Sequence, residues 1–488
     1  VGIDLGTSSV KMILMDDALH ILASVSRSYP ISYPHDGWAE QNPQDWWQAV
    51  CEGLVALVTD PTLDAADRNV TALGIAGQMH GLVALDEAGQ VLRPAILWND
   101  TRTDQETREL NETIGRDLLR RETGNIAFAG FTLPKLMWMR RHEPDLYQRI
   151  EHILLPKDYL VYRLTGQFST DYSDASGTLL LQCGPKQWST ALCRLCHVNE
   201  AWLPTLHESD DVVGAVDVTV LSEEIRPYFQ SCAVVAGAGD NAGAAVSVGV
   251  LHEGSCNLSV GTSGTLFLPT ASFHLPESEG LHSFAHASGQ YHLMGVTLSA
   301  AASLKWWMED VLQSDDYEAE QGDVNLDGTN SVLFAPYLMG ERSPYNDEAV
   351  RGAFFGLSTQ TTRRDLTRAV LEGVAYSLRD SLRLAQEMGV VVEEANIVGG
   401  GAQSALWCQI LANVIQLPIQ RREGETGPSL GAAMLARSGV GAESLDDMAK
   451  ALPQDGVRFE PQAEAVENYE KGYARYRTLY ARLKDLDA

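Results

Sequence analysis

Positive charge, long apolar runs and paired cysteines are all scarce in this 488-residue chain. Lysine and arginine total 36 against 65 aspartates and glutamates, and this net charge of −29 argues against nucleic acid or an anionic membrane as a partner. No uninterrupted apolar stretch reaches the roughly 18 residues of a membrane-spanning helix, and the first residues read as a strand rather than a signal peptide. The seven scattered cysteines fit a reducing compartment, so we expect a cytoplasmic protein.

Familiar cofactor motifs are missing or imperfect. No lysine directly follows a glycine, which excludes a Walker A loop. The sequence GAGDNAG at residues 237–243 resembles a dinucleotide-binding loop, but its Asp240 carboxylate would repel a pyrophosphate. The sequence CRLCH at residues 193–197 has the spacing of haem attachment, which requires export, and two cysteines leave a zinc ion short of ligands. We expect instead a helix whose cysteines pack as small apolar groups.

One short sequence occurs twice. DLGTSS at residues 4–9 and SVGTSG at residues 259–264 share a Gly-Thr-Ser core, and both copies lie between strand-like runs. Strand, glycine-rich turn and strand form a hairpin whose tip exposes N–H groups and hydroxyls, which can cradle phosphate oxygens. A chain of this length predicts two domains. We therefore predict a duplicated α/β fold that holds a nucleotide, divided into residues 1–247 and 248–488.

Two further loops follow predicted strands. Residues 70–76 read as a buried strand that ends at GQMHG, residues 77–81, and ligands of α/β sheets lie at such strand ends. The third glycine cluster, VGGGAQS at residues 398–404, follows a strand and precedes a helix predicted over residues 405–415. Glycines without Cβ let a flat group approach the backbone, which suits a base or a ribose.

Other segments predict local structure alone. Asn42 and Pro43 predict a helix N-terminus, with Asn as the cap and Pro at the first helical position. The acidic stretch 314–330 is rich in Gly, Asn and Asp, which predicts a surface loop. A C-terminal stripe of Val, Tyr and Leu over residues 466–483 steps by three and four. We expect this helix to pack on its own domain, and a homodimer seam is the alternative.

The residue pattern alone leaves the roles of the candidate site residues open. Asp240 is either a general base or a turn-stabilising residue, and Asp4 either binds a cation or caps its turn. Lys11 either points at the phosphates or lies solvated along its strand. A histidine beside a methionine at a strand end, as in Met79 and His80, is more typical of a structural residue.

The three loops occur in an order that resembles the actin-like ATPase superfamily, and longer motifs narrow the resemblance to the FGGY carbohydrate kinases. The motifs are GFTLPKLMW at residues 130–138 and GAFFGL at 352–357, the latter followed by DL at 365–366 and AVLE at 369–372. Stretches at residues 37–41, 77–81, 155–159 and 340–344 are similar to xylulose-phosphorylating members of that family. The resemblance covers essentially the whole chain and implies two RNase H-like domains that flank a catalytic cleft.

The resemblance also implies an activity and a set of site residues. The activity is phosphorylation of D-xylulose to D-xylulose 5-phosphate with ATP and Mg²⁺; L-ribulose, L-xylulose and gluconate are the alternative substrates. It implies that Asp240 is the general base and that Asp4 holds Mg²⁺ through water. The residues implied for the sugar are Gln78, Met79, His80 and Asn241. The residues implied for ATP are Gly6, Thr7, Ser8, Lys11, Gly261, Thr262, Ser263, Gly400, Gly401, Ala402 and Ser404.

Two other functional classes share parts of this pattern. A nucleotide-driven conformational or scaffold protein keeps the two hairpins but has no need for a sugar-contacting loop. A sugar sensor binds without transferring phosphate and has no need for both Asp4 and Asp240. The hairpins also differ from each other, because Ser259 stands in the second where Asp4 stands in the first. This asymmetry favours a kinase.

Overall fold

A computed structural model of the chain describes residues 1–276, 279–322, 324–326, 328–453 and 455–486. The chain forms two compact units. Unit 1 comprises Val1–Leu251, Ser283–Tyr291 and Glu425–Leu452, and unit 2 comprises His252–His282, His292–Gly424 and Pro453–Ala488. The division into residues 1–247 and 248–488 stays a prediction. Across the described ranges, no helix is both long and apolar enough to cross a membrane.

The strands are short and are numbered in chain order. They are β1 Gly2–Leu5, β2 Ser9–Met15, β3 Ile21–Ser28, β4 Glu40–Gln41, β5 Ala72–Gly77, β6 Val83–Leu85, β7 Ala95–Ile96, β8 His152–Leu154, β9 Ser169–Asp171, β10 Leu181–Gln182, β11 Gln187–Trp188, β12 Thr205–His207, β13 Val212–Ala215, β14 Ala233–Val235, β15 Ala238–Gly239, β16 Gly254–Val260, β17 Gly264–Thr270, β18 His282–Ala285, β19 Tyr291–Thr297, β20 Leu333–Ala335, β21 Ala353–Phe355, β22 Val392–Val398, β23 Ile419–Arg422 and β24 Gly456–Phe459.

The helices lie between and after these strands. They are α1 Pro43–Val58, α2 Asp104–Arg108, α3 Arg116–Thr123, α4 Thr132–His142, α5 Pro144–Tyr147, α6 Pro156–Thr165, α7 Tyr172–Ala175, α8 Thr190–Cys196, α9 Asp240–Ser247, α10 Ala301–Lys305, α11 Tyr317–Gly322, α12 Arg363–Glu387, α13 Ala405–Ile415, α14 Pro428–Gly439, α15 Leu445–Ala451, α16 Ala463–Tyr476 and α17 Tyr480–Leu483. Two π-helical segments, Glu109–Gly115 and Trp306–Val311, continue α2 and α10.

Each unit is built on a sheet of the same topology. In unit 1 the strand order is β13-β14-β5-β1-β2-β3, with β1 antiparallel to β2 and parallel to β5. In unit 2 the order β24-β23-β22-β16-β17-β19 repeats it, with β16 antiparallel to β17 and parallel to β22. The outer pairs match as well, because β13 is antiparallel to β14 and β24 is antiparallel to β23. The predicted duplication is therefore present as two equivalent sheets, each with its hairpin at the centre.

Local sequence signals explain several element boundaries. Helix α1 begins at Pro43, and the Asn42 side chain caps it by accepting a 3.1 Å hydrogen bond from Gln44 N. Helix α13 covers the predicted residues 405–415, and Ser404 caps it through Trp407 N. In both helices a side-chain oxygen satisfies an N–H group that has no partner within the helix.

Two other expectations concern packing. Cys193 and Cys196 are buried on α8, so they pack as small apolar groups as predicted. The C-terminal stripe forms α16 and α17, and its tyrosines 469, 473 and 476 lie in the apolar core of unit 2. The stripe therefore packs within its own unit.

The prediction of a loop over residues 314–330 is wrong in part, because α11 lies inside it. The Asp316 side chain accepts a 2.9 Å hydrogen bond from Ala319 N, and Glu320 forms a 2.5 Å ion pair with Arg363. These contacts stabilise a helix that composition alone does not predict. Asp323 and Asp327, which belong to the predicted loop, lie outside the described residues.

Helix α14 completes unit 1 although it follows most of unit 2 in the chain. It packs against β1, where a Cβ on Gly2 would lie 1.9 Å from Ser429 O. It also crosses α9 closely, since a Cβ on Gly431 would lie 1.9 Å from Gly243 O. Glycines permit this contact because backbone meets backbone without intervening side chains. This close packing holds α9, the helix whose first residue is Asp240, in place.

Candidate functional site

The first hairpin turn (residues 6–8) joins β1 to β2 and is held through its oxygen atoms. Tyr29 Oη donates to Gly6 O at 2.5 Å, and Gln41 Nε2 donates to Thr7 O at 2.7 Å. The indole of Trp98 donates to Thr7 Oγ1 at 3.0 Å. Among the described residues, no group accepts from the N–H of Thr7 or Ser8. The turn therefore offers backbone donors of the kind that bind phosphate oxygens.

Asp4 lies on β1 just before this turn, opposite Lys11 on β2. Within the described part of the chain its carboxylate accepts no hydrogen bond, so the alternative that it caps the turn is not supported. Burial, together with the neighbouring charge of Asp240, raises the pKa of Asp4 to about 7, and Lys11 opposes the shift. An acidic group held at this pKa is stabilised as a carboxylate when a cation binds it.

Lys11 forms an ion pair within unit 1, and its contact with phosphate stays a prediction. Its Nζ lies 2.5 Å from Oε1 of Glu425, and both side chains are half-buried. Glu425 begins the last segment of unit 1, far from Lys11 in sequence, so no local pattern signals the pair. The β1–β2 register places Lys11 opposite Asp4, and the ion pair gives Lys11 a partner within the unit.

The donor set suits magnesium bound together with a nucleotide. Within the described ranges no group of three or more His, Cys, Asp or Glu side chains converges as a metal site would require. Mg²⁺ in nucleotide sites uses only one or two carboxylates, with water and phosphate oxygens as its other ligands. Asp4, a half-buried carboxylate without a hydrogen-bond partner in the described structure, fits that role.

The loop predicted to contact the sugar (the sugar loop, residues 77–81) begins at the last residue of β5. Gln78 is buried, and its backbone N–H donates to Leu5 O at 2.8 Å. Its side-chain Nε2 lies 3.2 Å from Gln41 Oε1 and 3.4 Å from Gly6 O. Gln78 therefore ties the sugar loop to the first hairpin turn.

His80 is held on several sides. Its φ of 68° is in the left-handed region, its Nδ1 lies 2.7 Å from Gly177 O, and its ring stacks on Phe131 at 4.6 Å. Because a carbonyl only accepts, Nδ1 carries a proton, and in the neutral form of the ring this makes Nε2 the acceptor. Thr132 Oγ1 and Lys135 Nζ donate to the His80 carbonyl at 3.1 and 2.8 Å.

Sequence reasoning missed the supporting residues of His80. Phe131, Thr132 and Lys135 all lie in the motif at residues 130–138, so a signal for the region existed, although not for their contact with His80. Burial lowers the pKa of Lys135 to about 7, with the charge of Arg102 adding to it and Asp100 opposing it. Gly177 follows no recognisable motif.

The Asp240 loop (residues 236–241) leads from β14 into α9, whose first residue is Asp240. Asp240 Oδ1 accepts from Asn241 N at 2.7 Å and from Asn241 Nδ2 at 2.9 Å. Within the described structure Oδ2 has no hydrogen-bond partner. Burial raises the pKa of Asp240 to about 6, and the bonds from Asn241 oppose the shift. A carboxyl group whose pKa is raised but which is still ionised near neutral pH suits a general base.

The sugar loop and the Asp240 loop touch each other. A Cβ on Gly239 would lie 3.0 Å from Cγ and Sδ of Met79, so the methionine fills the space that a side chain at 239 would need. Both loops end at the same sheet edge, because β15 in the Asp240 loop pairs parallel to the end of β5. Unit 1 thus brings together Asp4, the sugar loop and Asp240.

The second hairpin turn (residues 261–263) belongs to unit 2. Gly261 O and Thr262 O accept from Ala301 N and Ala300 N at 2.8 and 2.9 Å, which secures the turn to the start of α10. In the register of this hairpin Ser259 lies opposite Thr265, at the positions that correspond to Asp4 and Lys11 in the first. The second hairpin therefore has uncharged residues at both positions of the Asp4–Lys11 pair. The asymmetry predicted from sequence for Asp4 thus holds for Lys11 as well.

The third loop of the prediction, residues 399–404, also lies in unit 2. A Cβ on Gly400 would meet no atom of the described residues within 4 Å, so this glycine leaves open space above the backbone. A Cβ on Gly401 would lie 2.5 Å from Val260 Cγ1, so a side chain at position 401 would clash with Val260. Ala402 is buried, and Ser404 caps α13 and contacts Gln321.

Known proteins match the whole chain. Residues 1–247 match the N-terminal domain, and residues 256–439 the C-terminal domain, of the FGGY family of carbohydrate kinases. Over 496 residues the chain is 40% identical to the xylulose kinase of Escherichia coli strain K12, covering 100% of both proteins. It is 38% identical to the xylulose kinase of Bacillus subtilis strain 168, across 100% of this chain and 97% of the relative. The crystal structure of a xyloylose kinase from Brucella ovis matches with a TM-score of 0.92 at 37% identity, over 100% of this chain and 99% of that chain.

Proposed function

This chain belongs to the FGGY family of carbohydrate kinases, and we propose that it phosphorylates D-xylulose to D-xylulose 5-phosphate. Membership confirms the predicted two-domain α/β fold and the prediction of a sugar kinase. The substrate follows from the xylulose kinases that match the chain over its full length. ATP bound with Mg²⁺ supplies the phosphoryl group and the cation that neutralises its charge.

Asp240 is the general base of the proposed reaction. It accepts the proton of the attacking sugar hydroxyl, for which its Oδ2 has no competing partner among the described residues. Asn241 holds Oδ1 and fixes the direction of the carboxylate, and it extends toward the sugar in this proposal. The observation that carries the assignment is this half-buried carboxylate at the start of α9, beside the sugar loop.

The sugar loop binds the acceptor in this proposal. Nε2 of His80 accepts a hydrogen bond from a sugar hydroxyl, because Gly177 O holds the proton of the ring on Nδ1. Met79 contacts the sugar with its apolar side chain while it packs on Gly239. Gln78 supports the loop from the buried side through Gln41.

Two groups of residues bind the nucleotide in this proposal. In unit 1, Gly6, Thr7, Ser8 and Lys11 contact phosphate oxygens, and Asp4 holds Mg²⁺ through water. In unit 2, Gly261, Thr262 and Ser263 contact phosphate oxygens, and Gly400, Gly401, Ala402 and Ser404 hold adenosine. The open space above Gly400 supports the approach of a flat ring, whereas Gly401 and Ala402 support the loop from below.

The proposal places the enzyme in the cytoplasm, which supplies ATP and keeps cysteines reduced. All seven cysteines are free, in agreement with such a compartment.

A panel of acceptors tests the proposal. ADP release is measured in a coupled assay with MgATP and D-xylulose, L-ribulose, L-xylulose or gluconate. We expect the highest kcat/KM for D-xylulose and little ADP release without sugar. Equal kcat/KM for D-xylulose and L-ribulose would overturn the named substrate. Sugar-independent ATP hydrolysis would favour a conformational ATPase, and tight sugar binding without ADP release would favour a sensor.

A further inference from the structure

A buried charge cluster lies next to the Asp240 loop. Lys157, in the first turn of α6, has no exposed side-chain surface, and its Nζ lies 2.5 Å from Asp158 Oδ1 and 2.9 Å from Asp171 Oδ1. The same nitrogen lies 3.8 Å from Asp174 Oδ2, and the three carboxyl groups are also fully buried. One lysine is therefore enclosed by three aspartates in the interior of unit 1.

The charges in this cluster are unequal. Burial alone would lower the pKa of Lys157, but the surrounding aspartates raise it above its ordinary value, so the lysine stays protonated. Burial and the neighbouring negative charges, including that of Asp240, raise the pKa of Asp174 well above its ordinary range, and Lys157 only partly opposes this. This raised pKa favours the protonated form of Asp174, whereas Lys157 contributes positive charge to the cluster.

Hydrogen bonds connect the cluster to both ends of the Asp240 loop. Lys157 Nζ donates to Ala236 O at 3.2 Å, at the start of the loop. Ser173 Oγ accepts from Gly239 N at 3.1 Å, directly before Asp240, and donates to Asp171 Oδ2 at 2.5 Å. The chain of contacts from Lys157 to Gly239 thus passes through Asp171 and Ser173.

The cluster also reaches the sugar loop. A Cβ on Gly77 would lie 3.1 Å from Lys157 Cβ, so the lysine stem packs against the residue that begins the sugar loop. Stability alone gives little reason for such a set of charges, since apolar residues of similar volume often replace buried ion pairs without loss of stability. The polar groups of the cluster instead supply directional hydrogen bonds to the Asp240 loop, from Lys157 Nζ to Ala236 O and from Gly239 N to Ser173 Oγ.

We propose that Lys157, Asp171 and Ser173 are positioning residues that fix the Asp240 loop and so aim the Asp240 carboxylate at the sugar hydroxyl. The proposal rests on the proposed function, in which Asp240 is the general base. It extends that function to three residues that do not themselves contact the sugar or the nucleotide.

The sharpest test removes one hydrogen bond from the chain. Ser173→Ala deletes the acceptor of Gly239 N, and a loop displaced by a fraction of an ångström lowers kcat by about tenfold. KM for D-xylulose and for MgATP should change little, because the binding residues remain. Ser189→Ala is the matched control: Ser189 is equally buried, accepts from Leu192 N at 3.1 Å and donates to Glu122 at 2.7 Å. The control should lose stability to a similar extent and keep its kcat.

A second measurement separates positioning from a general structural role. In the Asp240→Asn background, which lacks the base, Ser173→Ala should cause no further loss of kcat, because the two residues act as one unit. A general structural role predicts instead that Ser173→Ala lowers kcat by the same factor with or without Asp240. That additive result, or a wild-type kcat in Ser173→Ala, would overturn the proposal.

Lys157→Met and Asp171→Asn test the cluster itself. Where both fold, each should lower kcat more than KM changes, and Asp171→Asn combined with Ser173→Ala should cost no more than the larger single effect. If Lys157→Met does not fold, the serine variants decide the question. If wild-type protein releases no ADP with D-xylulose, the proposed function fails, whereas an active wild type with an unaffected Ser173→Ala refutes only the positioning role.

Discussion

Gly177 and His80 form a close contact in which backbone meets ring. The Gly177 carbonyl lies 2.7 Å from His80 Nδ1, and a Cβ on Gly177 would lie 2.4 Å from the same nitrogen. The absence of a side chain at 177 therefore allows the hydrogen bond that fixes the tautomer of His80. A residue with no catalytic group thereby sets the hydrogen-bonding character of the proposed sugar contact.

Gly177→Ala should weaken sugar binding. The added methyl group displaces the His80 ring, so we expect KM for D-xylulose to rise about tenfold, equivalent to about 1.4 kcal/mol. KM for MgATP should stay unchanged. Gly322→Ala is the control, because a Cβ there would meet no atom within 4 Å in the described part of the chain. Steady-state kinetics of both variants provide the measurement, and an unchanged KM for D-xylulose in Gly177→Ala would refute the role of His80.

Glu425→Gln should strengthen nucleotide binding. Glu425 competes with phosphate oxygens for Lys11, and loss of its charge frees the lysine, so we expect KM for MgATP to fall about two- to fivefold. Lys11→Met should raise it. Glu443→Gln, which removes a comparable partner from Arg437, is the control and should leave KM unchanged. An increase of KM in Glu425→Gln would show that the glutamate supports the nucleotide site instead.

The activity should fall on the acid side of neutrality. Only the carboxylate form of Asp240 accepts a proton, and its pKa is raised to about 6, so protonation at lower pH removes the active form. We expect kcat to be level above this pH and to fall about tenfold per pH unit below it. Asn241→Ala removes the hydrogen bonds that favour the carboxylate, so its acid limb should move to higher pH. A limb that moves to lower pH would contradict this assignment.

The crossing of α9 and α14 should be intolerant of side chains. Gly431→Ala forces apart two backbones that meet without a gap, and we expect a loss of about 1–3 kcal/mol in the free energy of unfolding. Thermal or urea unfolding measures the effect. Gly400→Ala, whose Cβ would enter open space, should keep the wild-type stability. Equal stability of the two variants would mean that the helices can separate without cost.

The sequence predicts the elements of this fold better than their assembly. Both hairpins, the cap at Asn42 and helix α13 follow from local patterns, because turns and caps depend on neighbouring residues. The place of α14 in unit 1 does not, since it depends on packing between segments 180 residues apart. Helix α11 was missed because its stabilising partner, Arg363, lies far along the chain.

In the candidate site, too, the sequence predicts some residues and misses those that depend on long-range packing. Motifs and family resemblance name Asp4, His80 and Asp240, which bear the chemistry. They do not name the residues that hold them, such as Gly177 or Lys157, because those contacts join strands and helices distant in sequence. Only the three-dimensional structure shows that Lys157 and Ser173 reach the two ends of one loop.

The role of Asp240 is the central claim, and one comparison of kcat tests it most directly. Asp240→Asn keeps the size of the side chain but removes its ability to accept the proton of the sugar hydroxyl. We expect kcat for D-xylulose phosphorylation to fall about 10²- to 10⁴-fold, with the Kd for D-xylulose unchanged. A variant that binds D-xylulose normally and retains the wild-type kcat would contradict the assignment of Asp240 as the general base.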